Sequence, residues 1–265
     1  MSKDYKDILY DVSHGVVRIT INRPEVYNAF RNQTLEELID ALHRADEERS
    51  ANVMVLTGAG DKAFCTGGDQ KIHHNESGLY GPRGTVGMPI EEMQTALRDL
   101  RKVSIARVQG FAIGGGNVFA TLCDITLASE KATFGQVGPK VGSVDPGWGT
   151  AYLARIVGEK KAREMWFTCQ RYGAQEAKEM GLVNKVVPHD QLDAEVDKWC
   201  AMINEMSPTA LTIAKRSFNA DSETIRGISF QGIQTVKHFY QTDESKEGVA
   251  AFNERRKADF KKFAG

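Results

Sequence analysis

The chain has 265 residues, 41% of them hydrophobic and 26% charged, with 34 Lys and Arg against 35 Asp and Glu for a net charge of -1. That is the make-up of a soluble globular protein long enough to bury a full core, and near-neutrality removes the electrostatic case for nucleic acid or an anionic membrane as partner. The opening Met1-Ser2-Lys3-Asp4-Tyr5-Lys6-Asp7 lacks the apolar run of a signal peptide and no stretch reaches the ~18 apolar residues of a membrane span, so a cytoplasmic protein is expected.

Val17, Ile19 and Ile21 alternate with Val16, Arg18 and Thr20 as in a strand, which Asn22-Arg23-Pro24 ends. Thr34-Leu35-Glu36-Glu37 has the form of a capping box, and Leu35, Leu38, Ile39 and Leu42 fall at helical spacing, predicting a helix to about Glu48. Asn52 to Thr57 reads as a buried strand, and Phe64-Cys65-Thr66-Gly67-Gly68-Asp69-Gln70 as a glycine turn after it. From His73 to Pro89 the chain is polar and glycine-rich, with no period of either kind, which predicts a mobile loop or lid. Ile90, Met93, Leu97 and Leu100 restart a helix.

Ile105 to Val108 reads as a strand, followed by Gly114-Gly115-Gly116 and an apolar stretch without a breaker until Asp124: strand, tight turn, buried helix. Amide N–H groups at a helix start are unpaired and lie at the positive end of the dipole, and glycine lets a ligand oxygen approach them. Such a place suits an oxyanion, although a close strand-to-helix turn needs the same glycines. A dinucleotide site would require Gly or Ala where Phe119 stands. Gly68 and Gly115 are counterparts, and if their strands lie side by side, two backbone amides face one oxygen.

Further on, Asp124 to Ala128, Thr133 to Gly135 and Leu182 to Val187 read as strands. Gly147 to Val157, Glu159 to Phe167, Ala174 to Met180 and Gln191 to about Met206 read as helices. Ser207-Pro208 is an N-cap with proline at the first helical position, and no strand pattern follows it. The division expected is a core of residues 1–206 and a helical oligomerisation region of residues 207–265. Cys65, Cys123, Cys169 and Cys200 are too dispersed for disulfides or a zinc site, and no metal is expected. Cys65, beside a glycine turn, has the position of a nucleophile but no histidine near it in sequence.

Taken together, Asn22-Arg23-Pro24-Glu25-Val26-Tyr27-Asn28-Ala29-Phe30, Ala63 to Gln70, Gly110 to Gly116 and Phe134-Gly135-Gln136 resemble, in order and over nearly the whole chain, the crotonase (enoyl-CoA hydratase/isomerase) superfamily. The resemblance implies an α/β fold, a spiral of ββα turns with a helical C-terminal region that builds trimers or dimers of trimers. It implies a coenzyme A thioester as substrate, with the N–H groups of Gly68 and Gly115 as its oxyanion hole. The CoA portion is then expected along Val26, Asn28, Ala29, Gly67, Asp69 and Gln70, with Tyr80 and Arg83 on the loop closing over it.

Two glutamates of the hydratases are replaced here by Val118 and Gly138, which argues against ordinary hydration. Gly138 to Ser143 followed by Asp145 is similar instead to the subgroup that holds dihydroxynaphthoyl-CoA synthase and 2-ketocyclohexanecarboxyl-CoA hydrolase. There the serine and aspartate belong to the active site, Tyr240 matches an active-site tyrosine, and a glycine such as Gly138 leaves room for a bound anion. In isolation, Ser143 and Asp145 before a helix read as caps. Arg83 to Pro89, Ser143-Val144-Asp145-Pro146-Gly147 and Lys215 to Asn219 stand nearer the ring-opening hydrolase, whereas Arg101-Lys102-Val103-Ser104 departs from the usual Pro-Lys-Pro-Val. The function expected is hydrolytic opening of a cyclic β-ketoacyl-CoA, with Asp145, Ser143 and Tyr240 as the reacting groups and no cofactor beyond the CoA of the substrate. The alternatives are the synthase, a hydratase or isomerase, and a non-catalytic RNA-binding relative.

Overall fold

In a computed structural model of the chain, which describes residues 4–75 and 78–264, the first strand already has a partner. Ile8–Ser13 (β1) runs antiparallel to Val16–Ile21 (β2), with Ile8 opposite Ile21, and Asn32–Glu47 (α1) packs over both. The helix starts ahead of the expected capping box. Thr34 is its third residue, where its hydroxyl accepts the Arg31 N–H at 3.2 Å and donates to Asp7 Oδ2 at 2.6 Å.

Three ββα units follow. Val53–Gly58 (β3) and Ala63–Cys65 (β4) lead to Gln70–Asn75 (α2) and Ile90–Asp99 (α3). Val103–Val108 (β5) and Phe111–Ile113 (β6) lead to Gly115–Leu122 (α4). Ile125–Ser129 (β7) and Thr133–Gly135 (β8) lead through a wide helical turn, Trp148–Tyr152, to Leu153–Val157 (α5) and Glu159–Thr168 (α6). The first strand of each unit joins the large sheet and the second joins the small one. After Arg171–Gly173 (β9), Ala174–Glu179 (α7), Lys185–Val187 (β10) and Leu192–Asn204 (α8), the large sheet has the order β1-β2-β3-β5-β7-β10 and the small one β4-β6-β8-β9.

Burial on both faces explains why β3 is apolar almost throughout. Met54 and Leu56 enter the main core under α1 and α3, whereas Val53 and Val55 join Ile105, Leu127 and the α8 residues Leu192 and Val196 on the other side. The strand expected directly before the glycine triplet is two strands. β5 ends at Val108, the chain turns at Gly110, and β6 carries it into the small sheet before Gly114.

The segment expected as a mobile loop sends several side chains into the core, while Pro82, Arg83 and Gly84 stay exposed. His73 lies in α2, and Tyr80, Val86 and Met88 are buried; residues 76 and 77 of that expectation lie outside the described residues. The helical tail, Pro208–Asp221 (α9), Thr224–Phe239 (α10) and Asp243–Asn253 (α11), also packs on its own core. Lys215 Nζ reaches Asp124 Oδ2 at 2.7 Å and the Lys102 carbonyl at 2.9 Å, and Asn219 Nδ2 donates to the Arg98 carbonyl at 2.8 Å. These bonds place Ile233, Val236 and Tyr240 of the tail in the main core.

The tightest packing lies where α4 crosses β4. A Cβ on Gly116 would fall 1.9 Å from the Cys65 carbonyl oxygen, a backbone atom with nowhere to move. Gly116→Ala is expected to lower the unfolding free energy by about 3 kcal/mol or more in chemical denaturation, at the upper end of overpacking costs.

Candidate active site

The two glycine turns meet at one edge. β4 and β6 are parallel neighbours, Ala63 opposite Phe111, so the turns after them open together. A Cβ on Gly67, held at φ +89°, would stand 3.1 Å from Gly115 N, and one on Gly115 would stand 2.7 Å from Phe30 Cζ. The Gly67 carbonyl accepts the Phe30 N–H at 2.8 Å and the Phe30 carbonyl accepts the Asp69 N–H at 2.9 Å. Gly68 N, between them, has no acceptor among the described residues. Gly115 N, at the first position of α4, has none there either.

Both glycines line one cavity of about 80 Å³, together with Gly138, Ser143, Asp145 and Tyr240. That free volume is several times the roughly 10–15 Å³ that one water needs. No Lys, Arg or His is among its lining residues, and Asp145 is its one carboxylate. Negative charge formed inside would therefore meet backbone amides, the positive end of α4 and phenol hydroxyls. Among the described residues no three His, Cys, Asp or Glu side chains gather as a metal site.

Asp145 sits on the loop before the wide helical turn. Its Oδ1 accepts the Gly149 N–H at 3.3 Å and its Oδ2 accepts Gln94 Nε2 at 3.0 Å. It lines the cavity half-buried, and burial of the carboxyl pushes it up to about 7 against the two hydrogen bonds, which pull it down. Ser143 Oγ and the Tyr240 hydroxyl are 2.7 Å apart, with the tyrosine 4% exposed at the end of α10. Burial, opposed by the Ser143 hydrogen bond, pushes the phenol up to about 12, so it stays protonated at neutral pH.

Of the residues expected along CoA, Gly67, Gln70, Tyr80 and Gly138 line the cavity and Val26, Asn28, Ala29, Asp69 and Arg83 do not. Asp69 turns inward, its carboxylate 3.0 Å from Arg23 Nη2 and itself 7% exposed, so it anchors the turn and is not free for a ligand. Asn28 is fully buried, accepting the Arg23 N–H and donating to the Ala59 and Ala63 carbonyls; its side chain likewise serves the backbone. Val26 and buried Ala29 belong to the same tight turn, beside a second cleft at Pro24, Tyr27 and Lys62. Arg83 is exposed and tied to Glu36 at 3.0 Å and Glu92 at 3.3 Å.

Tyr80 is placed differently from expectation. It is 4% exposed inside the cavity, stacked on His73 at 4.3 Å, and a Cβ on Gly68 would lie 2.6 Å from its hydroxyl. That hydroxyl accepts Gln70 Nε2 at 3.0 Å, which leaves its own proton to point elsewhere beside the Gly68 amide. At position 138 a Cβ would meet the Ser143 carbonyl at 2.4 Å and Trp166 at 2.9 Å, so no side chain fits. Val118, in the other glutamate position, is fully buried. Cys65 is buried too, and burial pushes its thiol up to about 12, which removes it as a nucleophile.

Gln94, Trp166 and His73 escaped the sequence reading. Gln94 follows Ile90 by four residues and so falls on the apolar stripe of α3, and a polar residue on such a stripe was the available signal. Trp166 and His73 carried none, since Trp166 reaches the Gly149 carbonyl from α6 and His73 packs between Tyr80 and Tyr240, contacts that no local pattern announces.

The model of the family described as enoyl-CoA hydratase/isomerase matches residues 11–263. An enoyl-CoA hydratase from Mycobacterium avium subsp. paratuberculosis K-10 is 30% identical, with 97% of this chain and 99% of that one covered and a TM-score of 0.85. An enoyl-CoA hydratase/isomerase from Pseudoalteromonas atlantica T6c is 26% identical over 96% of this chain and 100% of the other, TM-score 0.86. A carnitinyl-CoA dehydratase from Mycobacterium avium 104 is 27% identical over 93% and 96%, TM-score 0.83. The spiral of ββα turns with its helical end is thus shared by all three.

An acid whose pKa is higher folded than unfolded supports folding fully below its unfolded value, near 4, and loses that support as pH rises through about 7. Asp145→Asn, which has no charge to bury, is therefore expected to melt above the parent at pH 8, the gap closing toward pH 4 in a calorimetric series.

Proposed function

The chain belongs to the enoyl-CoA hydratase/isomerase family, whose members process acyl-CoA thioesters, and we propose that this member opens the ring of a cyclic β-ketoacyl-CoA by hydrolysis. The observation that carries the reading is the pairing of a lone carboxylate, Asp145, with the Ser143–Tyr240 hydroxyl pair in the cavity that also holds the unpaired Gly68 and Gly115 amides. The names of the similar structures favour hydration, but adding water across a double bond calls for a second carboxylate, and Val118 and Gly138 leave none.

In this reading the Asp145 carboxylate takes a proton from water as its oxygen adds to the ring ketone. Ser143 and Tyr240 donate to the ketone oxygen while it becomes an alkoxide. The alkoxide collapses to a carboxylic acid, and the bond between the former ketone carbon and the α-carbon breaks. Its electron pair enters the thioester as an enolate, whose oxygen is met by the amides of Gly68 and Gly115, with the Tyr80 hydroxyl beside them. Asp145 returns the proton to the α-carbon, through Tyr240 or Ser143 where the path requires it. One water is consumed and the product is an open-chain acyl-CoA bearing a new carboxylate. The step balances with water alone, so no further cofactor enters it, and an anion in the room that Gly138 leaves has no part. The synthase reaction runs through the same enolate toward bond formation and is the alternative outcome.

Phe218 is 76% exposed and Ile213 64%, and apolar surface of this kind on the helical end supports a homotrimer or a dimer of trimers. Light scattering is expected to give three or six times the 29.3 kDa chain mass.

With 2-ketocyclohexanecarboxyl-CoA, mass spectrometry is expected to show a product heavier by one water. Asp145→Asn should lower kcat about 10³-fold and Tyr240→Phe about 10²-fold, within the range for proton-transfer groups and oxyanion donors. Because the carboxylate is the active form, kcat/KM should fall as pH drops through about 7. Intact ring thioester after prolonged incubation, or a carbon–carbon bond formed from a succinylbenzoyl-CoA, would reverse the assignment.

A further inference from the structure

We infer that Gln94 is the positioning residue for Asp145: from the buried face of α3 it aims the carboxylate into the cavity and stabilises its ionised form. Gln94 is fully buried, its Nε2 donates to Asp145 Oδ2 at 3.0 Å, and its Oε1 has no partner among the described residues. Amides that serve the fold of this chain look different. Gln109 Nε2 reaches the Gly58, Gly60 and Ala63 carbonyls, and Asn28 bonds three backbone groups. The one hydrogen bond of the Gln94 side chain among the described residues goes to Asp145, and an apolar residue would fill its place between Met93 and Leu97 without leaving a carbonyl unpaired.

Besides Gln94 on α3, the groups around Asp145 are Ser143 on its own loop, the Gly149 N–H of the wide helical turn, Val118 on α4, Trp166 on α6 and Tyr240 at the end of α10. Only Tyr240 titrates, at about 12, and His73 behind it is held neutral by burial, pushed down to about 4. Arg98, one turn along α3 from Gln94, points away to Tyr152 and Ser222. Among the described residues, Gln94 is thus the one side chain that donates a hydrogen to the carboxylate, and the Gly149 bond at the other oxygen is longer.

The measurement is the titration of the Asp145 carboxyl by 13C NMR in protein labelled at aspartate, its signal identified as the one missing from Asp145→Asn. Gln94→Met keeps the volume and removes the donor. A lost hydrogen bond to a charged group corresponds to about one pH unit or more, so the midpoint is expected to rise by that amount. A midpoint within about 0.3 unit of the parent in the folded variant would overturn the inference. If Gln94→Met does not fold, Gln94→Glu places a second carboxyl against Asp145. The two should then share a proton, with one macroscopic midpoint above the parent value, and two midpoints both below it would overturn the inference.

The kinetic arm rests on the ring-opening reading. With 2-ketocyclohexanecarboxyl-CoA, the acid limb of kcat/KM in Gln94→Met should move with the NMR midpoint and the rate should recover at high pH. An equal loss at every pH would reduce Gln94 to a structural residue. A parent enzyme that leaves this thioester intact would count against the ring-opening reading alone, and the carboxyl titration would still decide the role of Gln94.

Discussion

Two stretches of backbone lie closer together here than side chains permit, and the site depends on that contact. Gly116 leaves the Cys65 carbonyl room where a Cβ would be 1.9 Å away, and Gly67 does the same for Gly115 N at 3.1 Å. The contact brings the start of α4 against the Gly67-Gly68 turn. At both turns an amide is left without an acceptor among the described residues, one because it begins a helix and the other because its neighbours have used the nearby carbonyls. Donors fixed in this way cost no reorganisation when charge appears, which is why they are worth more than mobile ones.

The rest of the chain holds that contact still or sets the chemistry next to it. Arg23 is paired with Asp69 at 3.0 Å, and Asp7 with Arg31 at 2.8 Å, which pins the segment on which Gly68 rides. Phe30, stacked on Phe119 at 5.0 Å, fills the space under Gly115. From the opposite side the loop around Ser143 and Asp145 closes the cavity, and the helical tail, fastened through Lys215 and Asn219, delivers Tyr240 to it. In the proposed reading, backbone donors serve the thioester end, which the substrates of a CoA-handling family share. Side chains serve the end where substrates differ.

Local pattern was enough for what local pattern determines. The alternation at Val17, Ile19 and Ile21, the Ser207 cap and the glycines of both turns were all legible, because each expresses a backbone requirement of its own segment. β1, β6 and β9 were not, since strands this short or this polar are specified by the neighbour they pair with. Thr34 misled because the same Ser/Thr signature serves a cap and, as here, a hydroxyl at the third helical position bonded to a distant aspartate. In the site, Ser143, Asp145 and Tyr240 came from family resemblance, and nothing in their own stretches separates them from caps and core aromatics. Asp69 and Asn28 sit in a motif associated with CoA, yet their side chains bind the protein, a distinction that depends on which way each points.

The paired amides can be tested without knowing the natural ring. Acetoacetyl-CoA carries an acidic α-hydrogen, and its enolate absorbs in the ultraviolet where the keto form does not. Two amides converging on the thioester oxygen should hold the bound ligand as the enolate at neutral pH, with the enolate band rising to saturation as enzyme is added. Saturable binding of acetoacetyl-CoA with no such band would mean that Gly68 and Gly115 do not act on a common oxygen.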